Sequence, residues 1–155
     1  MRSGLRLRQV WLRVWLLCGV LAALYATTIS LLRGGSGVQV WLELASGPLG
    51  DGAAQWGIAG VLAGVAIHFA LLAGMIAGGL WLARHTRLGA VAPWKAGTLY
   101  GLALYCVMYG LVLPLRFGAP FPDPDKLKLA IGLFPHIFLV GIPLFYLVRR
   151  TPQLT

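Results

Sequence analysis

Acid is scarce in this chain. Glu43, Asp51, Asp123 and Asp125 are the four carboxylates in 155 residues, and none stands inside a long apolar run. Ion-coupled pumps and small multidrug exporters depend on an intramembrane carboxylate, so that design does not fit. Thiols are rarer still: Cys18 and Cys106 both fall within apolar stretches. They offer no disulfide framework, CxxC redox pair or zinc spacing, and disulfide-forming quinone chemistry would need loop cysteines. No loop brings together a nucleophile, a base and an orienting acid, so no enzyme is expected. Charged side chains make up 11% of the sequence against 59% hydrophobic ones, well under the roughly 25% charge of a soluble domain. Lipid must solvate most of the chain.

A helix crosses the hydrocarbon with about 20 apolar residues at about 1.5 Å each. Four uncharged runs reach that length: Val14 to Leu32 with 19 residues, Gly52 to Ala83 with 32, Ala96 to Leu115 with 20 and Leu129 to Val148 with 20. The expected fold is an all-α, polytopic membrane protein of one domain, with spans at about 14–32, 55–83, 96–115 and 129–148. The second run is long enough to tilt or to begin at the interface. The basic, apolar N-terminus is like a secretory signal, but its apolar stretch is too long and no small-x-small site closes it. It is read as a retained first helix.

The formal net charge of +9 would point to nucleic acid in a soluble protein, but here its location matters more than its sum. With the N-terminus in the cytoplasm, Arg2, Arg6, Arg8, Arg13, Arg84, Arg87, Lys95, Arg149 and Arg150 lie inside, with no acid beside them. Arg33, Arg116, Lys126 and Lys128 lie outside with all four acids. The positive-inside rule therefore places both termini in the cytoplasm. The basic residues are read as topology and contact with anionic lipid, and no nucleic-acid partner is expected.

In the first outer loop, Ser36-Gly37-Val38-Gln39 has capping-box spacing, and Val38, Trp41, Leu42 and Ala45 share a helical face. A short interfacial helix over 36–46 is expected on the outer surface, ended by the turn residues Ser46 to Gly52. Pro120, Pro122 and Pro124 make the other outer loop a stiff connector. Small residues four apart, Gly60 with Gly64, Gly74 with Gly78 and Gly97 with Gly101, suit close helix packing in lipid. Pro114, Pro135 and Pro143 should kink the third and fourth spans where neighbours or water satisfy the freed carbonyls.

Polar side chains deep in a span are the best pointers to a site, and His68 and His136 are two such. Each follows a glycine by four residues, Gly64 and Gly132, so each should face into the bundle. By helical rise His68 lies about 18 Å below Trp56 and His136 about 12 Å below Lys128, near enough for the two to meet. Three readings stay open: a hydrogen-bonded structural pair, axial ligands of a haem b, or part of a small-molecule or proton site. Tyr105 and Tyr109 continue the stripe of Gly97 and Gly101. They either join that site or bond a neighbouring backbone carbonyl. Thr27, Thr28 and Ser30 can satisfy themselves on the preceding turn. No metal site is expected.

Leu24-Tyr25-Ala26, Ala45-Ser46-Gly47-Pro48-Leu49-Gly50, His68-Phe69, Leu99-Tyr100-Gly101 with Met108, Leu113-Pro114-Leu115, His136 and Val140-Gly141-Ile142-Pro143 follow one another in order. Over roughly Leu24 to Arg150 this pattern resembles a group of small, uncharacterised four-helix bacterial inner-membrane proteins. It is loosely similar to YagU-type membrane proteins as well. The resemblance implies four helices and a bacterial cytoplasmic-membrane address, and it carries over no activity and no functional residue. Ten arginines against three lysines would suit a GC-rich genome. The leading expectation is a non-enzymatic accessory protein, packed against other membrane subunits or against itself. The alternatives are a haem- or ligand-binding protein using His68 and His136, and a small-molecule channel or facilitator.

Overall fold

The computed structural model describes residues 2–151, with side chains from residue 8 onward. Met1 and residues 152–155 lie outside the described residues, as do the side chains of Arg2 and Arg6. Among the described residues the chain is mostly helical, with no strand. Helix α1 runs Arg2–Leu32, α2 Gln39–Leu49 and α3 Ile58–His85. The third span joins α4 (Pro93–Val107), a π-helical stretch Met108–Val112 and α5 (Leu113–Phe117). The fourth joins α6 (Lys126–Phe134), a second π stretch Pro135–Gly141 and α7 (Ile142–Arg149).

Four segments are long and apolar enough to cross a membrane: Arg8–Leu32, Ile58–His85, Pro93–Phe117 and Lys126–Arg149. They extend beyond the uncharged stretches at most ends because a charged residue ends a hydropathy run without ending a hydrogen-bond ladder, whereas the second begins only at Ile58, after a 3-10 turn over Asp51–Gln55. Asp125 starts the fourth, its side chain accepting from the amides of Leu127 and Lys128 as an N-cap does.

Proline explains the π turns. Its ring displaces the carbonyl four residues back, and a π turn widens the helix to accommodate this. Gly110 and Leu139, four residues before Pro114 and Pro143, lie within the two π stretches. The carbonyl freed by Pro135 belongs to Ile131, and the Tyr25 hydroxyl of α1 donates to it at 2.9 Å. The expectation that a neighbour would satisfy such a carbonyl is met at this position.

The bundle is solid at one end and hollow at the other. Its core, with Val14, Cys18, Leu72, Ile76, Leu80, Tyr100, Leu144 and Phe145 among its members, joins the first half of α1 to the second half of α3, the start of α4 and α7. Backbones meet closely here: a Cβ on Gly97 would stand 2.5 Å from Ile142 Cα, and one on Gly101 2.5 Å from the His136 carbonyl oxygen. Only glycine permits that approach of α4 to the fourth span.

The short helix expected at 36–46 forms at Gln39–Leu49, three residues later at each end, with Pro48 inside its last turn. Half of the capping box is present: Ser36 Oγ accepts from the Gln39 amide at 3.0 Å, while the Gln39 side chain turns to Glu43 at 2.9 Å. The apolar face read from sequence packs on protein from Trp41 to Ala45, while Val38, just before the helix, stays half exposed. Ala45 is fully buried, and the Trp41 backbone and Leu42 side chain rest on Gly64 and Gly60 of α3. Arg116 secures the far end, donating to the carbonyls of Gly47 at 2.7 Å and Ser46 at 2.8 Å and to Asp51 at 2.6 Å.

Candidate functional site

The hollow half of the bundle holds a partly open cavity of about 790 Å³ that touches α1, α2, α3 and the third and fourth spans. Pockets for small organic ligands run to roughly 300–1,000 Å³. Arg33, Gln39 and Glu43 line it at the α2 end, and Leu72, Met75 and Val140 line it toward the solid core. Its rim is polar and its depth apolar. Both π stretches contribute to the wall, Met108 and Tyr109 from one and Pro135, His136 and Val140 from the other. Widened turns of this kind recur at functional sites because they re-aim side chains that a regular helix would direct elsewhere.

Both His68 and His136 line this cavity, as their spacing from Gly64 and Gly132 suggested. They do not pair with each other. His68 Nε2 lies 3.1 Å from the Gly19 carbonyl of α1, and its ring meets Trp41 and Phe69 edge-on at 5.6 and 5.3 Å between centroids. Phe69 in turn fills the space left by the missing side chain of Gly19. His136 Nδ1 lies 2.8 Å from the Gly132 carbonyl one turn back. Its ring stands edge-on to Tyr105 at 6.1 Å and to Tyr109 at 5.9 Å. A carbonyl only accepts, so the nitrogen facing it carries the proton. In a neutral imidazole the other nitrogen is then an acceptor.

The tyrosines depart from the backbone-bonded alternative. Tyr105 and Tyr109 stack at 4.6 Å, and Tyr109 occupies the space over Gly132, where a Cβ would stand 2.6 Å from its Cζ. The Tyr105 hydroxyl is the one enclosed side-chain polar atom without a partner among the described residues. Tyr109 lines the cavity and Tyr105 lies behind it. On α4 it is Tyr100 that bonds a backbone carbonyl, that of Met75 of α3, as Tyr25 of α1 does with Ile131. Ser30 Oγ reaches forward to the Ser36 carbonyl at 2.9 Å instead of back along its helix.

Of the glycines marked for packing, Gly60, Gly64, Gly97, Gly101 and Gly132 each meet a neighbour, and Gly78 meets the Tyr100 hydroxyl at 3.3 Å. Gly74 is the exception, with nothing within 4 Å of its missing Cβ. A closer contact than that of Gly78 is made by its neighbour Gly79, against Leu144 and Tyr100. Gly79, Gly19 and Gly141 belong to no four-residue pair highlighted in the sequence, and spacing within one helix does not report what another helix brings.

No protein-family model, curated protein or solved structure matches this chain.

Any functional reading must therefore come from the cavity. No group of three or more metal-ligating side chains occurs among the described residues. What the cavity presents is apolar wall, two imidazoles each held by one nitrogen, the Tyr109 phenol and a charged rim.

Proposed function

We propose that this chain is a non-enzymatic, multi-pass protein of the bacterial cytoplasmic membrane that holds an amphipathic small molecule between its spans, with both termini in the cytoplasm. The cavity carries the reading. A structural bundle gains from close packing along its whole length, yet here one half is hollow. α2 is fixed against that half by Gly60, Gly64 and the three bonds from Arg116. Tyr25, Ser30, His68, Tyr109 and His136 lie on its wall. The bacterial address rests on the family resemblance, and the orientation rests on the distribution of basic residues.

The geometry favours an organic ligand over haem. Each imidazole is wedged edge-on between aromatic rings, and His68 spends Nε2 on Gly19. Purification in a mild detergent, organic extraction and mass spectrometry should recover a small apolar molecule at about one per chain. The absorption spectrum of protein made in haem-replete cells should show no Soret band. Recovery of detergent and bulk phospholipid alone would overturn the reading.

One observation supports a second role, as a subunit of a larger membrane assembly or a homo-oligomer. Ala66, Ala70 and Gly74 are exposed at four-residue spacing along α3, and the last is open to close approach. Native mass spectrometry of the same preparation would address it. A strictly monomeric species without a co-purifying protein would count against it.

A further inference from the structure

The bonds already made by the two histidines restrict what the cavity can recognise, and from them we infer that its ligand is an apolar molecule carrying a hydrogen-bond-donating hydroxyl, a phenol or long-chain alcohol rather than a ketone, quinone or ether. The inference rests on the cavity being a ligand site, as proposed above.

His68 and His136 come from different spans and bond different carbonyls through different ring nitrogens, yet both arrive at the same state. Gly19 O fixes the proton of His68 on Nε2, leaving Nδ1 an acceptor. Gly132 O fixes the proton of His136 on Nδ1, leaving Nε2 an acceptor. Neither remaining nitrogen has a hydrogen-bond partner among the described residues, neither is among the enclosed unpartnered atoms, and both belong to rings that line the cavity. A keto or ether oxygen has no proton to give them, whereas a hydroxyl does. The Tyr109 hydroxyl likewise has no hydrogen-bond partner among the described residues and is not among the enclosed atoms. It can donate to one lone pair of the ligand oxygen, while the ligand's own proton goes to one of the two imidazole nitrogens. Discrimination by such a site is strong because a ligand lacking the proton leaves a desolvated acceptor unpaired.

The test is a matched pair of probes, 4-nonylphenol and 4-nonylanisole, which share an apolar body and differ by the replacement of O–H with O–CH₃. Binding to the full chain in nanodiscs is followed by tryptophan fluorescence, since Trp41 lines the cavity beside His68. The phenol should bind about tenfold or more tightly than the anisole, matching the cost of one unpaired buried acceptor. That preference should fall to within about twofold in the His68→Phe, His136→Phe double variant. Equal binding of the two probes to the unaltered protein would overturn the hydroxyl inference and leave the cavity reading standing. Binding of neither would overturn both. Because the wild-type comparison decides the matter, a double variant that fails to fold removes no part of the test.

Discussion

The Trp41 carbonyl lies against the bare Cα of Gly64, where no Cβ fits, so that the backbones of α2 and α3 touch at the wall of the cavity. A Cβ on Gly64 would also stand 2.7 Å from Trp41 C. The obstruction is backbone at every nearest atom, so no side-chain rotation relieves it. Gly64→Ala should therefore push α2 off α3 and lower the thermal midpoint in detergent, by an amount equivalent to about 1–3 kcal/mol of overpacking. Gly74→Ala is the control on the same helix. With open space around it, the substitution should be neutral or stabilising by up to about 1 kcal/mol, the propensity difference between the two residues. Equal destabilisation by both, in circular-dichroism melts, would mean that α2 is not seated as described.

Two tyrosines one and a half turns apart on α4 should respond oppositely to loss of the hydroxyl. Tyr100 donates to the Met75 carbonyl from a nearly buried position, and Tyr100→Phe should cost about 1 kcal/mol. The Tyr105 hydroxyl is enclosed and unpartnered, so Tyr105→Phe removes a desolvated polar group that returns nothing. It should leave stability unchanged or raise it by about 1 kcal/mol. Thermal melts of both variants in one detergent are sufficient, and a marked loss on Tyr105→Phe would show that the hydroxyl does have a partner.

Arg116 makes three bonds of unequal worth. Its ion pair with Asp51 is short at 2.6 Å, but the Asp51 side chain is 87% exposed, and such pairs contribute about 0–1 kcal/mol. The bonds to the Gly47 and Ser46 carbonyls satisfy the end of α2, where helix carbonyls lack intrahelical donors. Charge-assisted bonds of this kind are worth about 1.5–3 kcal/mol each at most. Asp51→Ala should thus be nearly silent, whereas Arg116→Ala should free the end of α2 and speed hydrogen exchange over Gln39–Leu49. Similar exchange in the two variants would place the weight on the ion pair instead.

Four apolar helices were legible because lipid solvation demands long uncharged runs, and the sequence has four. The direction in which His68 and His136 face was legible too, through glycines four residues away. What His68 bonds was not: the Gly19 carbonyl lies 49 positions away, and no local pattern encodes a contact between helices. The apolar stripe of Val38, Trp41, Leu42 and Ala45 was visible, but an apolar face reads alike whether lipid or protein covers it. The signal that could have decided it was Gly60 with Gly64, a small-residue pair needing a partner, read together with Trp41 rather than apart from it. Gly74 with Gly78 shows the converse, because the same spacing there leaves Gly74 open.

Orientation is the remaining expectation that a single experiment decides. Arg84, Arg87, Lys95, Arg149 and Arg150 all belong to the end of the bundle where α3 turns into α4 and α7 stops, while Asp51, Asp123 and Asp125 belong to the α2 end. Because these loops are short, the basic end should be retained in the cytoplasm. Single cysteines at Gln55 and Ala90 would report the two ends, since both positions are exposed. Cys18 is buried, and Cys106 lies within the third span, where a charged maleimide should not reach it, so Cys106→Ala supplies the background. A membrane-impermeant maleimide added to intact cells should label Gln55→Cys and spare Ala90→Cys until the membrane is permeabilised. The reverse pattern would place α2 and the rim of the cavity in the cytoplasm and would make the ligand enter from the other side. Labelling of both positions in intact cells would indicate two orientations and would contradict the charge distribution from which the topology was read.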